Sequence, residues 1–103
     1  MLLVRDIMYC KPGKVRPLVD KFVAMSKLME KGNMGTMKVM TDVSAERYWT
    51  VVAEFEVASL KAMEEMFESM GQETESAKEM ENIMKGYHDL VDHGRREIYK
   101  IEM

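Results

Sequence analysis

Glu54 stands inside the longest β-prone run of the sequence, Tyr48-Trp49-Thr50-Val51-Val52-Ala53-Glu54-Phe55-Glu56-Val57. A carboxylate in an apolar cleft has its pKa raised by desolvation, and it can then abstract a proton from an acidic phenol or enol. The same carboxylate beside a cation stays ionised and is structural, because buried charges are normally paired. Tyr48 and Thr50 share the parity of Glu54, and the neighbouring strand offers Arg5 or Asp6, of which only one can share that face. Arg5, Tyr48, Thr50 and Glu54 are therefore the expected ligand-binding set. No complete catalytic constellation appears; the candidates are Glu54, Tyr48, Asp6 and His88.

Three further features carry chemistry of their own. His88 and Asp92 stand four apart, the spacing of a two-ligand metal corner on a helix. No third ligand is specified, and a solvated helix end where a histidine meets the C-terminal dipole is the stronger account of the pair, so no metal site is expected. Cys10 ends a strand beside Lys11, which would lower its pKa if it were exposed. A lone cysteine without a base is more often a small buried hydrophobe.

The bulk numbers narrow the class. At 103 residues the chain is read as one domain, 1–103, with a single core. A net charge of −3 and a pI near 5.4 argue against nucleic acid, which asks for a clustered basic face. No apolar run approaches the roughly 20 residues of a membrane helix. Charge appears by Arg5, too early for a secretory apolar segment. One cysteine excludes an internal disulfide framework, so a cytoplasmic protein is expected. Thirteen methionines fit an irregular core, for which Met is a flexible filler.

The elements that must position these residues follow from periodicity. Leu2–Cys10 reads as a strand with two largely apolar faces, the mark of a central strand. Lys11-Pro12-Gly13 ends it. From Lys14 the spacing of Val15, Leu18, Val19, Phe22, Val23, Met25 and Leu28 predicts a helix, with Gly32-Asn33 as its stop. Thr36–Asp42 reads as a short edge strand, joined by a polar connection to the Tyr48–Val57 strand. In that strand Trp49, Val51, Ala53, Phe55 and Val57 form an apolar row. Ser59 is a helix N-cap, and Leu60, Met63, Met66, Phe67 and Met70 line the helix it starts. Gly71 interrupts the pattern before the polar stretch Gln72–Glu75. Ser76-Ala77-Lys78-Glu79 matches a capping box. Ala77, Met80, Met84, Tyr87 and Val91 then predict a helix closed by Gly94, and Arg95–Met103 alternates as the last strand.

Strand, helix, strand, strand, helix pair, strand is the order of an α+β, ferredoxin-like βαββαβ fold. Its antiparallel sheet, in order 4-1-3-2, puts the two most apolar strands in the centre. Helices cover one face only, and the first strand shows no fully polar face to water. The other face is thus expected to pack on a second copy.

The turn Lys11-Pro12-Gly13-Lys14, the Tyr48–Val57 strand and His93-Gly94-Arg95-Arg96-Glu97-Ile98-Tyr99 together resemble the dimeric α/β barrel superfamily. Its members include antibiotic-biosynthesis monooxygenase-like, NIPSNAP-like and stress-responsive barrel proteins, and the KPGK turn is most similar to the NIPSNAP-like group. The resemblance implies a homodimer with a cleft between sheet and helices that takes a small hydrophobic or aromatic ligand. The alternative it implies is a cofactor-independent monooxygenase-like enzyme acting on a phenol or enol. Haem-degrading relatives resemble one another in a first-strand Asn, a Trp and a helical His. This chain has Trp49 and His88 but Asp6 where an Asn would be needed, and no cofactor is expected.

Overall fold

A computed structural model of the chain describes residues 1–70 and 74–103. The elements run β1 (Leu2–Cys10), α1 (Val15–Lys31), β2 (Lys38–Thr41), β3 (Thr50–Val57), α2 (Leu60–Met70), α3 (Glu75–Met84), a 3-10 turn (Tyr87–Asp89) and β4 (Val91–Lys100). The strands form an antiparallel sheet in the order β2-β3-β1-β4, the ferredoxin-like arrangement with β1 and β3 in the centre. The break expected at Gly71 lies outside the described residues, as do Gln72 and Glu73.

Alternation divides the sheet into unlike faces. Val51, Ala53, Phe55 and Val57 of β3 are buried toward the helices, with Val4 and Cys10 of β1 on the same side. Against them α1 buries Leu18, Val19 and Phe22, while Met63, Met66 and Phe67 of α2 pack around Val4, Phe55 and Val57. The other face carries Leu3, Arg5, Ile7 and Tyr9 from β1 and Thr50, Val52, Glu54 and Glu56 from β3, as the register requires. No helix covers it.

Local chemistry sets the ends of the helices. Ser59 Oγ accepts from the amide of Ala62 at 3.1 Å, the expected cap of α2. Lys21 donates through Nζ to the carbonyls of Ile83 and Lys85 at 3.1 and 2.7 Å, satisfying the last turn of α3 from a neighbouring helix. Ser26 Oγ exchanges hydrogen bonds with both backbone groups of Met37 and so ties α1 to the start of β2.

Four expectations are corrected. The cap of α3 is Thr74, whose Oγ1 accepts from Ala77 N at 3.1 Å; Ser76 lies inside the first turn. The helix ends at Met84, because Gly86 takes a left-handed φ of 84° and the chain turns before Tyr87. Tyr87 and Val91 nevertheless pack on the same core as Met84, which is why their spacing imitates a continuing helix. The last strand therefore begins at Val91, and Gly94 lies within it rather than closing a helix. Trp49, finally, has φ 60° and is 44% exposed, so β3 begins at Thr50 and the apolar row starts at Val51.

Gly94 has a packing reason. A Cβ there would lie 2.7 Å from the Ile7 carbonyl oxygen and 2.7 Å from Met8 Sδ. The thioether can move, but the strand carbonyl cannot without disturbing the β1–β4 ladder. Gly94→Ala is expected to lower stability by about 1–3 kcal/mol, the usual range for overpacking. Urea unfolding measures this, and an unchanged midpoint would show that β4 yields freely.

Candidate functional site

The β1–β3 register sets Arg5 directly opposite Glu54. Arg5 Nε donates to Glu54 Oε2 at 2.6 Å, with the Glu54 side chain only 13% exposed. Glu54 is thus the paired, structural carboxylate rather than an isolated base. Asp6, one residue on, points to the helix side, where Arg96 holds both its oxygens at 2.6 and 3.2 Å. The Arg96 guanidinium also lies 4.7 Å from the ring centre of Phe67. Arg5, not Asp6, is the residue that shares the face of Glu54.

Of the concavities among the described residues, two border these ion pairs from opposite sides of the sheet. The first, about 320 Å³, lies on the helix-free face beside the β2–β3 loop, with Arg5, Ile7, Tyr9, Thr50 and Glu54 among its lining. It brings together three of the four expected binding residues, but on the face opposite the helices rather than between sheet and helices. Tyr48 does not join them. The left-handed turn at Trp49 takes it off the strand; it is 86% exposed and borders a separate hollow with Trp49, Val15 and Arg16.

The second concavity, about 400 Å³, does lie between the sheet and the segment after α3. Asp6, Met8, Tyr87, His88, Gly94 and Arg96 line it. It unites Asp6 and His88, the two candidates that the first concavity lacks. His88 stacks on Tyr87 with ring centres 4.0 Å apart. His88 belongs to the 3-10 turn and Asp92 to β4, so the helical metal corner does not form, although both residues border this cleft.

Cys10 is buried, and burial followed by the nearby charge of Asp42 pushes its thiol pKa up. A thiol held protonated in this way is a core residue, not an activated nucleophile.

A charged chain that composition did not reveal crosses the helix-free face. Tyr99 donates through its hydroxyl to Glu97 Oε1 at 2.9 Å, and Arg95 Nε donates to Glu97 Oε2 at 3.1 Å. Arg95 Nη1 also donates to the Tyr9 hydroxyl, and Arg47 stacks over the Tyr9 ring at 4.5 Å. Tyr9 is buried beneath these guanidinium groups. The parity of β1 places Tyr9 with Arg5, and that of β4 groups Arg95 with Glu97 and Tyr99. That signal was present in the sequence. The loop residue Arg47 had none.

The fold is similar to that of several solved structures. A NIPSNAP family protein from Agrobacterium tumefaciens superimposes with a TM-score of 0.76 at 12% identity, over 96% of this chain and 90% of that one. A NIPSNAP domain protein from Burkholderia xenovorans gives 0.74 at 14% identity, over 98% and 94%. A proposed antibiotic biosynthesis monooxygenase from Deinococcus radiodurans gives 0.67 at 10% identity, over 100% and 94%. No protein-family model matches the sequence, and no curated protein matches it. At these identities the likeness is one of fold: the chain has the ferredoxin-like fold of NIPSNAP-like and monooxygenase-like proteins.

The Glu97 carboxyl is held below its ordinary pKa, first by the Tyr99 hydroxyl and next by Arg95. A lowered folded-state pKa contributes stability above the ordinary carboxylate range, and that contribution is lost as pH falls through the lowered value. Wild type should therefore exceed Glu97→Gln in stability at neutral pH, and the difference should close at an acid pH below the lowered value, which itself lies under the ordinary glutamate value of about 4.3. Urea unfolding at both pH values checks this; a gap that persists in acid would assign the effect to packing instead.

Proposed function

We propose that residues 1–103 form a single NIPSNAP-like domain that pairs sheet to sheet as a homodimer. In this reading it binds a small hydrophobic or aromatic ligand in the cleft between sheet and helices. The observation that carries the reading is the make-up of that cleft. Met8 and Tyr87 offer apolar walls, and the Asp6–Arg96 ion pair supplies a fixed polar group beside them. Pockets for small molecules combine an apolar lining with a few convergent polar groups of this kind.

The dimer is supported by the other face. Ile7 and Tyr9 are buried there with no helix above them among the described residues, and its central strand charges Arg5 and Glu54 are already paired within one protomer. Strand charges paired in this way can be covered without stranding an ion, whereas Arg47, on the β2–β3 loop at one end of the face, is bonded to His93. Packing through that face leaves the helix-side cleft open in both copies. Among the described residues no helix is long and apolar enough to cross a membrane. The buried, unpaired Cys10 fits a reducing cytoplasm.

The methionines allow a direct test. With methyl-labelled Met, 2-naphthol should shift the Met8 resonance and leave Met40, on the opposite face, in place. A shift at Met40 alone, or at neither, would sink the cleft assignment. Light scattering should return twice the 12.0 kDa protomer mass, and a persistent monomer would remove the sheet-to-sheet dimer.

A second reading, a cofactor-independent monooxygenase-like enzyme, is favoured by one observation: Asp6 and His88 border the same cleft. Oxygen uptake with a panel of quinols and polyphenols tests it. Wild type should turn over at least one of them, and Asp6→Asn should lose most of that rate. An inactive wild type, or an Asp6→Asn variant as fast as wild type, counts against it.

A further inference from the structure

The concavity on the helix-free face offers hydrogen-bond donors that the protein does not use. Arg5, Arg47 and Arg95 all line it, but they are not equivalent. Arg5 is engaged by Glu54 at 2.6 Å and Arg95 by Glu97 at 3.1 Å. Arg47 forms no ion pair among the described residues; its hydrogen-bond partner is the ring nitrogen Nε2 of His93, at 2.7 Å. Glu46, its neighbour in sequence, borders the same concavity and makes no ion pair with it.

The surroundings hold Arg47 in place without neutralising it. His93 Nδ1 lies 3.1 Å from Asp92 Oδ2. A proton on Nδ1 is donated to that carboxylate, which leaves Nε2 as an acceptor for Arg47. The guanidinium then lies over the Tyr9 ring, 4.5 Å from its centre. Tyr9 receives a hydrogen bond from Arg95, so its own hydroxyl proton remains available to donate. Beside these donors Ile7, Met40 and Val52 form an apolar wall. Of the two carboxylates that also border the concavity, Glu54 is engaged by Arg5 and Glu46 makes no ion pair among the described residues.

We infer that this concavity is a second binding site, specific for a small organic carboxylate. The apolar body rests on Ile7, Met40 and Val52, and the carboxylate is received by Arg47 with the Tyr9 hydroxyl beside it. A planar guanidinium matches a carboxylate with two parallel N–H donors, and such charge-assisted bonds are stronger than neutral ones. The volume of about 320 Å³ sits at the small end of ligand pockets and selects a compact body. The site lies across the sheet from the apolar walls of the cleft proposed above, although Arg95 borders both concavities. It shares the face read above as the dimer contact. It opens at the β2–β3 loop end of that face, at Ala45 and Arg47, and takes its ligand with that end left open between the two copies.

Benzoate and its uncharged analogue benzamide, titrated into the full chain with methyl-labelled Met, form the test. Benzoate should shift Met40 and leave Met8 in place, whereas benzamide should bind at least tenfold more weakly. Arg47→Gln should weaken benzoate by about tenfold to a hundredfold, the range for a hydrogen bond to a charged group. Its melting temperature should not change, since Arg47 is exposed. Tyr9→Phe keeps the ring and should weaken benzoate severalfold. Equal affinity for benzoate and benzamide, no shift at Met40, or full binding by Arg47→Gln overturns the proposal. So does an Arg47→Gln variant that dissociates into monomers while wild type ignores benzoate, because Arg47 would then serve a carboxylate of a second copy. Failure at Met40 leaves the Met8 result, and with it the helix-side cleft, untouched.

Discussion

The pairing of β1 with β3, with Arg5 opposite Glu54, is the constraint on which the rest of the molecule depends. Side chains alternate along a strand, so a slip of one residue would exchange every inward and outward group. Val4 would leave the helices, and Arg5 would turn beneath them. Taking an unpaired charge out of water costs several kcal/mol even after relaxation. The ion pair therefore does more for register than for net stability. With the Arg5 side chain 36% exposed, solvent screens much of its attraction to Glu54. Its alternatives are worse, and that difference selects the register.

The order of elements and the sheet order were legible because two periods dominate the sequence. Val51, Ala53, Phe55 and Val57 alternate as a half-buried strand must, and Leu18, Val19 and Phe22 lie along one side of a helix. Periodicity reports which side chains reach the core, not which backbone carries them there. Tyr87 and Val91 continue the stripe of α3 from a 3-10 turn and a strand, and their spacing hides the end of the helix. Trp49 is the reverse case. Its residue type fits the strand, but Asp42 Oδ1 accepts from Thr50 N at 2.9 Å and closes the loop one residue later. The left-handed backbone at Trp49 then turns the indole outward.

The placement of the candidate site residues was legible only as far as parity reaches. Arg5, Thr50 and Glu54 follow from alternation along β1 and β3 once the register is known. Choosing between Arg5 and Asp6 needs that register, because the two are adjacent and face opposite ways. Tyr48 lies apart from them with Trp49, because the strand begins after both although their residue types fit it. The cluster around Tyr9 combines a loop residue, Arg47, with an edge strand whose register shifts between Tyr9 and Cys10. A bulge of that kind leaves no periodic trace, because it breaks the period that would announce it.

The charges of the sheet are organised by face rather than by strand. Arg5-Asp6 in β1 and Arg95-Arg96 in β4 each place one residue on either side. Arg5 and Arg95 balance Glu54 and Glu97 on the helix-free face, while Arg96 balances Asp6 on the helix side. The sheet itself lies between these two sets, so a charge lost on one side has no substitute within reach on the other. Arg47 is the exception, because it comes from a loop outside the alternation and meets a histidine instead of a carboxylate. A strand residue is bound by register to whatever stands opposite it. A loop cation is not, and this is why the guanidinium that has no acidic partner among the described residues could arise there without disturbing the pairing that holds the sheet together.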